Sequence, residues 1–286
     1  MKKRVVLREK SVPLTILAWF MALLILGPIY IMVINSFKNR QQIFVDQLGW
    51  PETFSFEYYA EAAQKMNYFN SLKNSLIVTG VSVIFIIIVS SMAAWAITRR
   101  NTKGSGFLYL LLISTILIPF QSVMLPLVQY FSLWRNDAIG FRMIGTHYGL
   151  IFFNVGFGLA LSVFLYSGAV KNVPIEMEES ARIDGAGQFK TFWQIVFPNM
   201  MPISMTVAIL NIISYWNDYL LPSLVLTQNP KLLTIPLSTF YFFGEFNIQW
   251  NLALAGLVMT VLPVIIFYVF AQRYIISGIM AGAVKG

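Results

Sequence analysis

Asn211, Ser214 and Asp218 interrupt an apolar run from 203 to 226, and their spacings of three and four place them on one face of a helix. Asp218 is the only acidic residue inside any long apolar run of this sequence. An ionisable side chain at such depth is a functional-site hypothesis by default. It lies about 15 residues, or roughly 22 Å at 1.5 Å per residue, from the inner end of its run, toward the outer leaflet. An amide, a hydroxyl and a carboxylate beside Tyr215 and Trp216 suit a sugar, whose hydroxyls need paired donors and acceptors and whose C–H faces pack on aromatic rings. The alternative is that Asp218 reaches to the outer interface or bonds a neighbouring helix, and the residues alone leave both open. Gln121, beside Pro119, and Asn154 are weaker candidates for the same path. His147 stands alone at the edge of its run, placed to cap or to face water rather than to bind metal.

The second informative group lies in a polar connection, 167–202, that reads as helix, sharp turn, helix. Pro174 suits a first helical position, and Glu176, Glu178 and Glu179 sit near the positive N-terminal end. Asp184-Gly185-Ala186-Gly187 supplies the turn, because glycine accepts backbone angles that other residues resist. From Gln188 onward, Phe189, Phe192, Trp193, Val196 and Phe197 form an apolar stripe down one helical face, which Pro198 is expected to end. A connection exposed to water has no intrinsic need for such a stripe. It lies against the membrane surface, the inner ends of the protein's own helices, or another protein.

The elements that hold these groups are membrane spans. Of 286 residues, 57% are hydrophobic and 11% charged, and the mean hydropathy is +0.69. A soluble domain averages about 25% charged residues, so this chain lacks the polar surface to cover itself. Six runs are long enough to cross a hydrocarbon core about 30 Å thick: 12–34, 76–97, 107–131, 148–166, 203–226 and 252–271. The expected fold is all-α, one polytopic membrane domain over 1–286 with six transmembrane helices. The first run is too long for a signal-peptide core and lacks a small-x-small cleavage site, so it is expected to be retained. An N-terminus in the cytoplasm places 13 of the 20 Lys and Arg on the inner side, as the positive-inside rule requires. Both termini, 98–106 and 167–202 are then cytoplasmic, and 35–75 and 227–251 lie outside, where Tyr58–Ala63 reads as a short helix. The net charge of +8 is therefore topological and no sign of a nucleic-acid partner. With no Cys, disulfides and thiolate metal sites are excluded, and no metal site is expected. Pro28, Pro119, Pro126, Pro222 and Pro263 each remove a backbone donor within a run, for ordinary packing or for a flexing gate. The 24 Phe and 13 Met read as lipid-facing and packing residues, and Gly278, Gly282 and Gly286 are expected to interrupt any helix in the tail, whose last charge is Lys285.

At the polar connection the chain resembles a known family. Glu179-Ser180-Ala181, three residues, Gly185, nine residues, then Ile195-Val196-Phe197-Pro198 matches the EAA motif of binding-protein-dependent ABC transporter permeases, E-A-A-x3-G-x9-I-x-L-P. Ser180 for Ala and Phe197 for Leu are the departures, and neither disturbs the spacing. The wording from Ala181 through Asp184 to Gly187 is closest to the maltose-type, MalG-like carbohydrate importers. Trp216-Asn217-Asp218-Tyr219 and the ending Ala281–Gly286 extend that resemblance over nearly the whole chain. It implies a type I ABC importer permease fold in the inner or plasma membrane. It also implies carbohydrate import of the oligosaccharide type alongside a second permease, two copies of a cytosolic ATPase and an extracellular or periplasmic solute-binding protein. In the family the motif loop docks on the ATPase, which assigns Glu179, Ser180, Ala181, Asp184, Gly185, Ile195 and Pro198 to coupling and leaves Asn211, Ser214 and Asp218 as a possible substrate path. The chain itself would be no enzyme and bind no cofactor, ATP and Mg belonging to the ATPase. Independently, no G-x-x-x-x-G-K-[ST] phosphate loop occurs in the sequence. The rival of another class is an ion-coupled secondary transporter. Such proteins place acids or His near the midplane as relays, and only the off-centre Asp218 qualifies.

Overall fold

Apolar runs bounded by polar turns fold as helices because in lipid every backbone N–H and C=O must be satisfied within its own segment. The computed structural model describes residues 12–100, 102–136, 141–226, 229–243 and 248–283. The chain forms two compact units, Met1–Met66 with Thr239–Val261, and Asn67–Ser238 with Leu262–Gly286.

In the first unit, α1 (Val12–Asn35) is a 24-residue apolar helix that carries Pro28 internally. At its end Asn35 donates to the carbonyls of Ile31 and Gln47, at 2.7 and 2.8 Å. The buried Lys38 donates to Asp46 O at 2.7 Å. The short α2 (Arg40–Val45) starts with a reciprocal capping box between Asn39 and Gln42. Asp46 accepts from the amides of Gly49 and Leu48, and these hold its carboxyl below the usual range. The expected short helix in this segment is α3 (Glu57–Lys65).

In the second unit, α4 (Tyr68–Arg100) runs 33 residues without a proline and packs along α7 (His147–Val170). Its buried face carries Ser71, Ser75, Thr79, Ser82, Ser90 and Ala94, small residues that let helix backbones approach closely. Between these two helices lie α5 (Lys103–Ser114), a 3-10 turn at Thr115–Leu117 and α6 (Phe120–Ser132). The run 107–131, expected as one span, is therefore broken, its two parts bent by 104°. The cause is local: the residue before a proline is pushed out of the helical region, and Ile118 has ψ 114 and Pro119 ψ 133. A two-residue antiparallel ladder, β1 (Arg135–Asn136) with β2 (Phe141–Arg142), adds a minor departure from an all-α chain.

After α7 come α8 (Ile175–Ile183), α9 (Gln188–Thr191), one π turn (Phe192–Val196) and α10 (Phe197–Asn199). Pro174 is the N-cap of α8 rather than its first helical residue. Pro198 does not end the second helix as expected. The wider π register precedes it, and the chain bends by 77° only at Met200, before α11 (Met201–Asn217). The run 203–226 is also not one helix. It stops at Asp218, whose backbone is extended with ψ 128, and resumes as α12 (Leu220–Leu226) with Pro222 in its first turn.

A 3-10 turn at Pro230–Leu232, α13 (Ile235–Thr239) and a second 3-10 turn at Phe240–Phe242 lead to α14 (Trp250–Ala283), which contains Pro263. Gly278 and Gly282 do not interrupt it. Lys285 and Gly286 lie outside the described residues. Among the described residues, four helices are long and apolar enough to cross a membrane, or up to six if each bent pair counts as one span.

Candidate functional site: a polar cleft and a helical knob

Two places collect the residues singled out in the sequence. The first is a cleft of ≈ 520 Å³ whose polar lining is Gln121, Asn154, Asn211, Ser214, Tyr215, Asn217 and Asp218. The helix-face argument fails for Asp218, which caps α11 from outside its last turn, yet the break at 218 still brings it beside Asn211 and Ser214. Its Oδ1 accepts from the amides of Leu220 and Leu221 at 3.0 and 3.4 Å, so the carboxylate also caps α12. Asn211 is 7% exposed and donates to Ser162 Oγ at 3.2 Å and to Val207 O at 2.8 Å. Asn154 donates to Ser82 Oγ at 3.2 Å, and its carbonyl accepts from the Tyr215 hydroxyl at 2.8 Å. Ser214 is exposed into the opening. Phe120 and Phe157, packed edge to face at 5.1 Å, supply an aromatic wall.

Gly158 leaves room for two of the polar groups that line this cleft. A Cβ there would collide with the Tyr215 hydroxyl and lie 2.7 Å from Asn211 Oδ1. His147, expected to cap or face water, instead bonds Leu232 O through Nε2 at 2.9 Å.

The second place is the connection 167–202, where α8 and α9 meet at a sharp turn. Gly185 has φ +79, the left-handed region that favours glycine. Ala186 N donates to Ala181 O at 2.9 Å and Gly185 N to Arg182 O at 3.0 Å, the two bonds of a Schellman motif. The motif residues divide by exposure. Glu179, Ser180, Asp184, Gly185 and Pro198 are exposed, Ile195 is half-buried, and Ala181 is buried.

The apolar stripe of the second arm mostly covers the protein's own helices. Phe192 and Val196 join Ala94, Val163, Tyr166, Met200 and Val207 in one core, with Trp193 and Phe197 packed against it. Left uncovered at the tip are Ile183, 86% exposed, and Phe189, 71% exposed. The knob thus presents an apolar tip on an acid-rich first arm.

The burial of one acid of this connection is not legible in the sequence. Glu178, one residue before the motif glutamate, is 0% exposed. Its Oε1 accepts from Arg99 Nε at 2.8 Å and its Oε2 from Trp95 Nε1 at 3.1 Å. Arg99 Nη2 also donates to Val173 O at 2.7 Å. The usable signal was the spacing of Glu178 and Ala181, which puts both on the inward face of α8, with Trp95 and Arg99 one turn apart on α4.

Comparison with known proteins agrees with this architecture. The family described as "binding-protein-dependent transport system inner membrane component" matches residues 86–280. Among its curated relatives is a probable starch degradation products transport system permease of Thermoanaerobacterium thermosulfurigenes. It is 43% identical over 272 residues, covering 95% of this chain and 96% of that one. A melibiose/raffinose/stachyose import permease of Bacillus subtilis is 36% identical over 281 residues, covering 98% and 99%. A crystal structure of a bacterial ABC transporter that imports the acidic polysaccharide alginate contains a chain of the same fold. Its TM-score is 0.74 at 18% identity, covering 91% of this chain and 94% of that one. These likenesses remove the ion-coupled secondary transporter, and they leave the protein a multi-pass membrane permease that is not itself an enzyme. This chain belongs to the family of inner-membrane components of binding-protein-dependent transport systems.

Proposed function

We propose that the chain forms one half of the translocation path of an ATP-driven oligosaccharide importer, paired with a second, different permease. Two ATPase subunits bind ATP and Mg in the cytosol, and a solute-binding protein delivers sugar from outside. The termini and the 167–202 knob face the cytoplasm. The observation that carries this reading is the exposed apolar tip, Ile183 and Phe189, on a connection outside every span and folded by a left-handed glycine. Such a tip costs free energy in water and is relieved by seating in a partner's cleft. Glu179, Ser180, Asp184 and Gly185 form the seat's rim, while Ala181, Ile195 and Pro198 shape the two arms. The cleft at Asn211, Ser214 and Asp218 takes the sugar, with amides, hydroxyls and rings in the mixture a saccharide needs.

The test is co-expression with the ATPase and the second permease, then reconstitution and uptake of labelled maltotriose and raffinose. ATPase retained by the wild-type chain, lost with Ile183→Asp, and uptake of either sugar are the expected results. Retention by Ile183→Asp would overturn the docking role, and uptake of neither sugar the substrate class.

A further inference from the structure

Glu178 is the one acidic residue fully buried among the described residues, and burying a carboxylate is costly unless it is paired and hydrogen-bonded. Here both carboxylate oxygens are used, and both donors come from α4. A third bond, from Arg99 to Val173 O, fixes the chain just before α8 begins. The second arm is held to the same helix, since Phe192 packs on Trp95 with ring centroids 5.3 Å apart. Both arms of the knob are therefore fastened to one turn of α4, Trp95 to Arg99, through directional bonds and an aromatic contact.

What α4 does at its other end gives this fastening a purpose. The helix has no proline and no break over 33 residues, about 50 Å at 1.5 Å per residue. Near its start, Asn74 donates to the carbonyls of Lys231 and Leu233 at 2.9 and 3.0 Å, and Ser75 accepts from Ile235 N at 2.8 Å. Midway, Ser82 accepts from Asn154, which lines the polar cleft. Of the elements that line the cleft, α6 and α11–α12 belong to broken segments that cannot carry a push along one axis, while α7, which carries Asn154, is unbroken and packs along α4.

We propose that Glu178, Arg99 and Trp95 form a latch that makes the knob and α4 one rigid body, so that displacement of the knob reaches the cleft and the 231–235 segment through α4. The inference rests on the docking of the knob on the ATPase. Glu178 and Arg99 are positioning residues: they touch neither sugar nor nucleotide and act by keeping the knob from swivelling on the helix that it drives.

The test compares Arg99→Met, Glu178→Gln and the double variant Arg99→Met/Glu178→Met in the assembled, reconstituted transporter. The double variant replaces the ion pair by apolar side chains of similar length, a change that buried pairs often tolerate without loss of stability. It leaves Ile183, Gly185 and Phe189 in place, so the ATPase should still co-purify and still respond to loaded binding protein. The readout is labelled sugar taken up per ATP hydrolysed, with whichever of maltotriose and raffinose the wild type transports. We expect this ratio to fall about tenfold, within the range typical of coupling between sites. Arg99→Lys, which keeps the charge but loses the fork to Val173, should fall less. A wild-type ratio in the double variant overturns the proposal. So does a loss of uptake that merely follows loss of assembled complex at an unchanged ratio, because the pair would then serve folding alone. Failure of the wild-type chain to retain ATPase would instead strike the docking reading, and the latch with it.

Discussion

Replacing Gly185 separates two reasons why a glycine stands at the tip of the knob. No atom lies within 4 Å of where its Cβ would be, so a side chain meets nothing inside the chain, and the intrinsic cost is backbone strain at φ +79. For a residue held in such a region the strain is about 1 to 3 kcal/mol. At about 1.4 kcal/mol per factor of ten, that is about 5- to 150-fold less of the turned knob. Asparagine tolerates left-handed angles better than alanine or valine does. If strain governs, ATPase retention should fall in the order Gly, Asn, Ala, Val. If a docked partner approaches closely, size governs instead, and Asn should be worse than Ala. Glu179→Gln serves as the comparison, since an exposed pair contributes only about 0 to 1 kcal/mol. The assay is co-purification of the ATPase with each inserted variant, followed by ATP hydrolysis stimulated by loaded binding protein. Wild-type assembly and stimulation in Gly185→Val would refute the coupling role of the turn.

Four further outcomes are expected. In this cysteine-free chain, a single Lys190→Cys should react with a membrane-impermeant maleimide only after permeabilisation, and labelling of intact cells would reverse the orientation. Gly158→Ala forces Tyr215 and Asn211 to move, an overpacking cost of about 1 to 3 kcal/mol. It should reduce uptake while ATPase retention stays normal, and unchanged uptake would remove the cleft from the path. Asp218→Asn preserves the α12 cap, because Asn caps as well as Asp, whereas Asp218→Ala loses about 1 kcal/mol. The Asn variant should therefore change transport more than the amount of folded protein, and the opposite pattern would assign Asp218 to structure alone. Deleting 281–286 should lower transport-coupled ATP hydrolysis without impairing insertion, and unchanged coupling would mark that end as a frayed terminus.

Legibility followed the physics of each signal. Hydropathy runs found every apolar helix, because lipid leaves a backbone no alternative to internal hydrogen bonding. The same runs are blind to direction, so the bend at Ile118–Pro119 and the stop at Asp218 were invisible in them, although Pro119 carried the necessary hint. Glycine chemistry at 185 was readable because few residues accept that turn. Glu178 was not readable: next to an exposed motif glutamate it looked like one more acid favouring a helix N-terminus. Its partner Arg99 lies in the basic stretch that precedes the 103–114 helix, where it reads as a topological charge, and the fold sets it against a buried carboxylate. The spacing of Asp218 points to a helix face that ends one residue earlier, and Asp218 joins the cleft because the chain changes course at that point.

The exposure of α1 bears on how the protein is made. None of its 18-residue apolar window is buried by the rest of the chain, and only Ile34 and Asn35 at its end are enclosed. A segment this long and apolar needs no other segment to stabilise it in the bilayer. It can leave the ribosome and partition into the membrane before the polar cleft or the knob has been synthesised.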